Sequence, residues 1–273
     1  MIDVWTINEA TEFLVEPTAE SNKYSRGVVG FATGSVEFPG AAVLGVSAAM
    51  RTGVGMVRYI GPNSVSDLVL ARRPETVTAH GGVNSWVVGS GQLDGHDPNE
   101  LQREAYGSGV PVVLDAGAIK HATLTHSATI ITPHIGELTR LLAANSYEIS
   151  PSQVMADPLH YAKLAAERFS CTVVLKGNTT YIANHLGRAL QVGPASPWLA
   201  AAGTGDVLAG ILGAILATNY RMLADYPDKL IELAASGVAI HAEAAADLAI
   251  QGPILAQELA DGVGAVVARA LRV

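Results

Sequence analysis

Short runs of uniformly apolar residues recur along this chain, separated by longer segments of helical character and by glycine-containing turns. Val28 to Ala32 reads as a buried strand, and Ala41 to Arg51 reads as a small-residue helix able to pack closely on a sheet. Val54 to Ile60 predicts the next strand, Thr76 to Ala79 a further one, and Ser85 to Val88 another that ends in the turn Gly89-Ser90-Gly91. A short helix over Leu101 to Tyr106 leads to a strand at Val110 to Leu114 closed by Asp115, and Ala128 to Thr132 is closed by Pro133-His134. Gly136 to Ala143 and Leu159 to Phe169 read as helices, and Cys171 to Leu175 as a strand running into Lys176-Gly177. Thr179 to Ala183 and Arg188 to Val192 predict a hairpin around Asn184 to Gly187. The remainder reads as helix: the run after Asp206, then Lys229 to Leu248, then Ile254 to Ala270.

Strands that are apolar on both faces and alternate with helices imply a mostly parallel sheet covered on both sides, an α/β fold. No repeat, low-complexity stretch or linker divides the chain, so one domain over residues 1–273 is expected. With 49% hydrophobic and 15% charged residues, a chain of 273 can build one large core. A formal charge of −8 argues against a nucleic-acid partner but leaves a small phosphorylated ligand open, since local donors can bind it whatever the global sign.

Cys171 is the only cysteine, so no disulfide forms within the chain, and its apolar surroundings predict a buried thiol. Met1 to Ala10 carries acids and no apolar run of leader length, and Asp206 with its Gly-Thr-Gly turn interrupts the apolar stretch from Leu199 to Ala217. No membrane partner and a cytoplasmic location are expected. Lys23 to Arg26 reads as a solvated arm rather than a ligand loop.

In an open parallel sheet, ligands bind beyond the carboxyl ends of the strands. Gly34-Ser35, Gly89-Ser90-Gly91, Asp115, Pro133-His134, Lys176-Gly177 and Gly203-Thr204-Gly205-Asp206 all fall at such places. The last of these allows a tight turn at a helix N-terminus, which is an anion site. Asp206 there either caps the helix or stands beside a bound phosphate as a base. Lys176 followed by Gly177-Asn178-Thr179-Thr180 supplies a cation, a flexible backbone and hydroxyls suited to nucleotide phosphate, or else it is a solvated hairpin. His134, before Ile135-Gly136-Glu137, is either ligand-facing or structural. His121, His126 and His134 lack partners at metal-ligand spacing, which argues against a tightly held transition metal. There is no Walker A loop and no G-x-S-x-G elbow, and Gly89 to Asp94 lacks the third glycine of a dinucleotide fingerprint.

Taken together, Phe38-Pro39-Gly40-Ala41-Ala42, Gly89-Ser90-Gly91, Thr132 to Glu137, Leu175-Lys176-Gly177 and Gly203 to Gly210 resemble the ADP-dependent NAD(P)H-hydrate dehydratase family of the ribokinase-like superfamily. The resemblance runs from about Lys23 to the C-terminal helices. It implies a ribokinase-like fold and repair of nicotinamide cofactors whose reduced ring has been hydrated, with ADP (or ATP) as co-substrate and Mg2+ as cofactor.

Carried over by position, the resemblance makes Asp206 the catalytic base and puts Ala41, Gly91, His134 and Asp206 on the hydrated dinucleotide. Lys176, Gly177, Asn178, Thr179, Thr180 and Gly205 fall on the adenine nucleotide. Glu137 stands where the superfamily places an acid near the metal, through water. A homo-oligomer, as in the family's tetramers, is implied as well. The family also occurs fused to an epimerase domain, for which the segment before Lys23 is too short. Two positions depart from the family pattern: Ser90, where many members carry proline, and Gly117, where a second acid is common; loss of an acid that positions substrate implies slower turnover. Two rival readings are a kinase of a vitamin precursor, such as a hydroxymethylpyrimidine or thiazole alcohol, and a non-catalytic nucleotide-binding protein.

Overall fold

The structure is a computed structural model that describes residues 2–93 and 97–272. Asp94, the last position of the incomplete glycine fingerprint, lies outside the described residues.

Nine strands form one sheet among the described residues: β1 (Asp3–Val4), β2 (Val28–Ala32), β3 (Met56–Tyr59), β4 (Ser85–Val88), β5 (Val112–Leu114), β6 (Thr129–Ile131), β7 (Thr172–Leu175), β8 (Thr180–Ala183) and β9 (Ala189–Val192). Their spatial order is β1-β9-β8-β7-β6-β5-β4-β2-β3. Only the β7–β8 and β8–β9 pairs are antiparallel, because short turns over residues 176–179 and 184–188 reverse the chain after β7 and again after β8.

The two faces of the sheet carry separate apolar cores, and successive residues of one strand alternate between them. Val87 points into the core built with helices α2 (Gly40–Thr52), α8 (Thr204–Thr218), α10 (Leu230–Ala249) and α11 (Ala256–Ala270). Its neighbours Trp86 and Val88 point to the other side, among α4 (Glu100–Gly107), α5 (Ile135–Ala143) and α7 (Pro158–Phe169). The expected mostly parallel sheet with helices on both faces is therefore what the chain forms. The remaining α-helices among the described residues are α1 (Ile7–Ala10), α3 (Asn63–Arg72), α6 (Pro151–Ala156) and α9 (Tyr220–Asp225).

Helix α8 is the buried centre of this arrangement, with 12 of its 15 residues out of solvent. Glycine makes its contacts possible. A Cβ on Gly210 would stand 2.2 Å from the carbonyl oxygen of Gly45 in α2, and one on Gly213 2.3 Å from Val87 Cγ2 in β4. Ser85 Oγ donates to the Gly213 carbonyl at 2.7 Å, tying the helix to the sheet.

Most element bounds fall within a residue or two of those predicted. One prediction fails: Thr76 to Ala79 is not a strand, and only Val77 bridges to Arg58. The Arg58 side chain donates to the carbonyls of Ala79 at 2.8 Å and Gly82 at 3.3 Å, taking acceptors that a further ladder would have used. Cys171 is buried, as expected, and burial pushes its thiol up to about 12. Tyr24 is exposed, as a solvated arm requires.

Candidate active site

Gly203 adopts the left-handed conformation at φ 90°, and α8 begins at the next residue. A side chain there would also collide, since a Cβ would meet Leu44 Cδ1 at 2.6 Å and Ala256 Cβ at 2.9 Å. The first helical closure is Val207 N–H to the Gly203 carbonyl at 3.2 Å, so the amides of Thr204, Gly205 and Asp206 have no hydrogen-bond partner among the described residues. Thr204 Oγ1 donates to the carbonyls of Leu199 at 2.8 Å and Ala201 at 3.0 Å, pinning the preceding loop to this cradle. His241 of α10, itself in the wall of the neighbouring cavity, approaches the Thr204 carbonyl through Nε2 at 2.9 Å. Burial holds His241 down at about 4, so at neutral pH it is an uncharged imidazole donating its Nε2 proton.

Asp206 lies in the first turn of α8 but makes no capping bond; the cap position is Gly203. Of the two roles open to it in the sequence, capping is thereby removed. Burial pushes its carboxyl up to about 7, the negative Asp115 adds to the rise, and the Lys176 ammonium works against it. A carboxylate that titrates near neutrality is matched to proton abstraction.

Lys176 follows β7 directly and is no solvated hairpin residue. Its Nζ donates to Asp115 Oδ1 at 3.1 Å and stands 3.9 Å from Glu137 Oε2. Burial by itself would lower the ammonium, but Asp115, Glu137 and Asp206 outweigh it and hold the group above its ordinary value. A Cβ on Gly205 would lie 3.4 Å from that Nζ, which places the cation against the amide cradle. Asp115, 3% exposed, also accepts from Thr132 Oγ1 at 2.6 Å and Ser90 Oγ at 2.9 Å.

A cavity of about 760 Å³ opens beside the cradle, with Lys176, Gly177, Asn178, Thr180, Gly205 and His134 among its lining. Its other walls are largely apolar, including Leu199, Leu208 and Val238. This combination of an apolar slot and a cationic, amide-rich end suits a nucleotide. Thr179 does not line the cavity; its Cα instead backs onto Gly193.

His134 serves α5 as its cap: Nδ1 accepts from the amides of Gly136 at 3.0 Å and Glu137 at 3.3 Å, and Glu137 Oε2 accepts from the His134 amide at 2.8 Å. The residue is thus both structural and cavity-facing. Its backbone bridges to Lys176, bringing the two motifs side by side.

Ala41 and Gly91 meet each other away from that cavity. A Cβ on Gly91, whose φ is 67°, would lie 2.6 Å from Ala41 Cβ and 2.7 Å from the Phe38 carbonyl. Ala41 lies in the first turn of α2 and Gly91 in the turn after β4, and further along α2 Gly45 packs against the Asp206 backbone. Gly117 lines a second cavity of about 430 Å³ together with Gln92, Thr33 and His121. A Cβ at Gly117 would fall 2.7 Å from the Gln92 carbonyl and 2.8 Å from that of Leu93, so an acid here requires a different course for that loop.

His241 was not among the residues singled out in the sequence. Its one visible signal was a histidine in the middle of an otherwise apolar helical run. Among the described residues no group of three or more His, Cys, Asp or Glu side chains converges at metal-ligand spacing.

A sequence profile of the NAD(P)H-hydrate dehydratase family matches residues 29–263. The chain belongs to this family. A bifunctional NAD(P)H-hydrate repair enzyme of Corynebacterium glutamicum is 36% identical over 249 residues, covering 85% of this chain and 42% of that protein. An ADP-dependent (S)-NAD(P)H-hydrate dehydratase of Neisseria meningitidis is 33% identical over 281 residues, covering 93% of this chain and 87% of the other.

Among solved structures, an ADP/ATP-dependent NAD(P)H-hydrate dehydratase from Bacillus subtilis, co-crystallised with ATP and Mg2+, gives a TM-score of 0.83 at 26% identity, covering 98% of this chain and 99% of that one. A ribokinase-like superfamily protein of Enterococcus faecalis, at 20% identity and a TM-score of 0.78 over 98% of this chain and 96% of that one, shares the fold. The chain spans about two fifths of the length of the bifunctional relatives it matches. The fold of this NAD(P)H-hydrate dehydratase family member is ribokinase-like, and no helix among its described residues is long and apolar enough to cross a membrane.

Proposed function

We propose that the chain catalyses ADP-dependent dehydration of hydrated NADH and NADPH, returning the intact coenzyme with release of AMP and phosphate. The observation that carries this reading is Asp206: a carboxylate free of any capping role, pushed up to about 7, beside three unpaired amides and a fixed ammonium.

Hydroxide is a poor leaving group and phosphate a good one, so phosphorylating the added hydroxyl lowers the barrier to restoring the ring double bond. Asp206 takes the hydroxyl proton as the oxygen attacks the β-phosphorus of ADP, and the bond from that phosphorus to the bridging oxygen of AMP breaks. The amides of Thr204 to Asp206 and the Lys176 ammonium hold the charge that builds on the moving phosphoryl group. His241 keeps the cradle in place through the Thr204 carbonyl. Phosphate then departs as the ring loses a neighbouring proton. In this reading Ala41, Gly91 and His134 face the hydrated dinucleotide, and Lys176, Gly177, Asn178, Thr180 and Gly205 face the adenine nucleotide, with Thr179 supporting that loop from behind.

The donor set fits a magnesium ion carried mainly on the nucleotide phosphates. Glu137 Oε2 is used by the His134 amide, while its other oxygen has no hydrogen-bond partner among the described residues and can reach an ion through water. When bound, the ion neutralises phosphate charge and orients the nucleotide for in-line transfer. Residues 1–273 act as one catalytic unit in this proposal, in the cytoplasm and as a homo-oligomer, a tetramer by family resemblance, which light scattering tests.

The activity test incubates the protein with hydrated NADH and ADP and follows the return of reduced-nicotinamide absorbance. Recovery dependent on ADP supports the proposal. No recovery, with a thiazole or hydroxymethylpyrimidine alcohol phosphorylated instead, replaces it with a kinase; ADP binding without turnover of either replaces it with a nucleotide sensor.

A further inference from the structure

We propose that Ser90 is a positioning residue for the nucleotide: acting through Asp115, its hydroxyl holds the Lys176 ammonium against the amide cradle. The inference rests on the assignment of the Lys176 cavity to adenine nucleotide.

Ser90 sits in the turn after β4 between two glycines in left-handed conformations, Gly89 at φ 100° and Gly91 at φ 67°. Its carbonyl accepts from the Gly34 amide at 2.7 Å, so the backbone on which the side chain is mounted is itself anchored. The side chain is buried, with 2% of the residue exposed, and Oγ donates to Asp115 Oδ2 at 2.9 Å. Among the described residues that is the only hydrogen bond Oδ2 receives. The other oxygen, Oδ1, receives Thr132 Oγ1 at 2.6 Å and Lys176 Nζ at 3.1 Å.

Two hydroxyls thus fix both ends of a buried carboxylate, and that carboxylate fixes the one ammonium facing Gly205. A carboxylate held at a single oxygen can rotate about its terminal torsion, and a lysine has four rotatable bonds with which to follow it. The Ser90 hydroxyl removes that freedom. A proline at this position has no donor to offer Asp115, so where Ser90 departs from the family pattern it adds a hydrogen bond to the phosphate-binding apparatus.

The test measures ADP affinity by calorimetry without dinucleotide, together with the KM for ADP and the KM for hydrated NADH, in wild type, Ser90→Ala, Ser90→Thr, Thr132→Val and Lys176→Met. Ser90→Ala is expected to weaken ADP binding by about 5- to 10-fold, the scale of one hydrogen bond to a charged group passed through an intermediary, with the KM for hydrated NADH within about twofold of wild type. Ser90→Thr, which keeps the hydroxyl, restores ADP affinity, and Thr132→Val weakens it in the same direction. A merely structural serine would lower the melting temperature without this split between the two substrates.

If Lys176→Met weakens ADP binding while Ser90→Ala leaves it within about twofold of wild type, the relay is overturned and the nucleotide assignment stands. If Lys176→Met also leaves ADP binding unchanged, the nucleotide assignment itself fails and takes the proposal with it. Should Ser90→Ala not fold, Thr132→Val decides: selective loss of ADP affinity supports the relay, and equal effects on both substrates overturn it.

Discussion

His241 Nε2 stands 2.9 Å from the carbonyl oxygen of Thr204, so helix α10, which also contributes His241 to the wall of the ligand cavity, grips the first residue of α8. The cradle is therefore supported by a residue distant in sequence, and the support depends on the imidazole staying neutral. Its titration near 4, against 6.5 for a free histidine, means that the unfolded chain binds a proton across that window and the folded chain does not. Stability tied to His241 is complete above about 6.5 and is lost as the pH falls toward 4. Replacing His241 by Leu should cost roughly 0.5–1.5 kcal/mol at neutral pH through the lost hydrogen bond, and should flatten the acid limb of stability over this window. Denaturant melts of both proteins at a series of pH values provide the check.

Asp206 carries the opposite dependence. Its carboxyl is raised from 3.8 to about 7, so the folded site disfavours the charge; the penalty is absent below about 4, grows as the pH rises, and is complete above 7. Asp206→Asn should therefore stabilise the free protein above neutrality, by on the order of 2–4 kcal/mol, and leave it unchanged near pH 4. The same substitution should lower turnover by roughly 10²-fold or more with ADP binding retained. In wild type, kcat/KM should fall as the pH drops below about 7. Thermal melts, calorimetry and a pH–rate profile test the three statements separately, and unchanged turnover in the variant would take Asp206 out of the mechanism.

Gly210→Ala tests the packing that aims the cradle. The added methyl would lie 2.2 Å from the Gly45 carbonyl oxygen, a backbone atom that cannot turn aside, so α2 and α8 must separate. A loss of about 1–3 kcal/mol or more is expected, and because α2 carries Ala41, the KM for the hydrated dinucleotide should rise as well. A variant as stable as wild type would mean that the helix pair yields at little cost.

Gly117→Asp restores the second acid implied by the family resemblance. The position is backed by the carbonyls of Gln92 and Leu93, both acceptors, so a carboxylate meets repulsion as well as crowding. The expected result is a lower melting temperature, by an amount corresponding to roughly 1–3 kcal/mol, with no gain in turnover. Faster turnover would show that this loop readily takes another course.

The order of elements was legible because strands buried on both faces leave nearly continuous apolar runs, as Val28 to Ala32 and Cys171 to Leu175 do, and because glycines punctuate their ends. Thr76 to Ala79 was misread, since its pairing with β3 stops at Val77 and the Ala79 carbonyl is taken by the Arg58 side chain of that strand. Local chemistry also marked the Gly203 to Asp206 turn as the start of a helix, because a helix N-terminus advertises itself through the residues beside it.

Three features came only with tertiary structure: that Asp206 is not a cap, that Lys176 is tied to Asp115 across three strands, and that His241 is bonded to the Thr204 carbonyl. Each depends on groups 37 to 61 residues apart, or on a degree of burial that no single segment sets. By itself the sequence determined the layered fold and the residue types available for phosphate, because hydrophobic period and turn chemistry are local. Only the packed sheet decided which charges face one another, because desolvation and Coulomb interaction depend on distances in space.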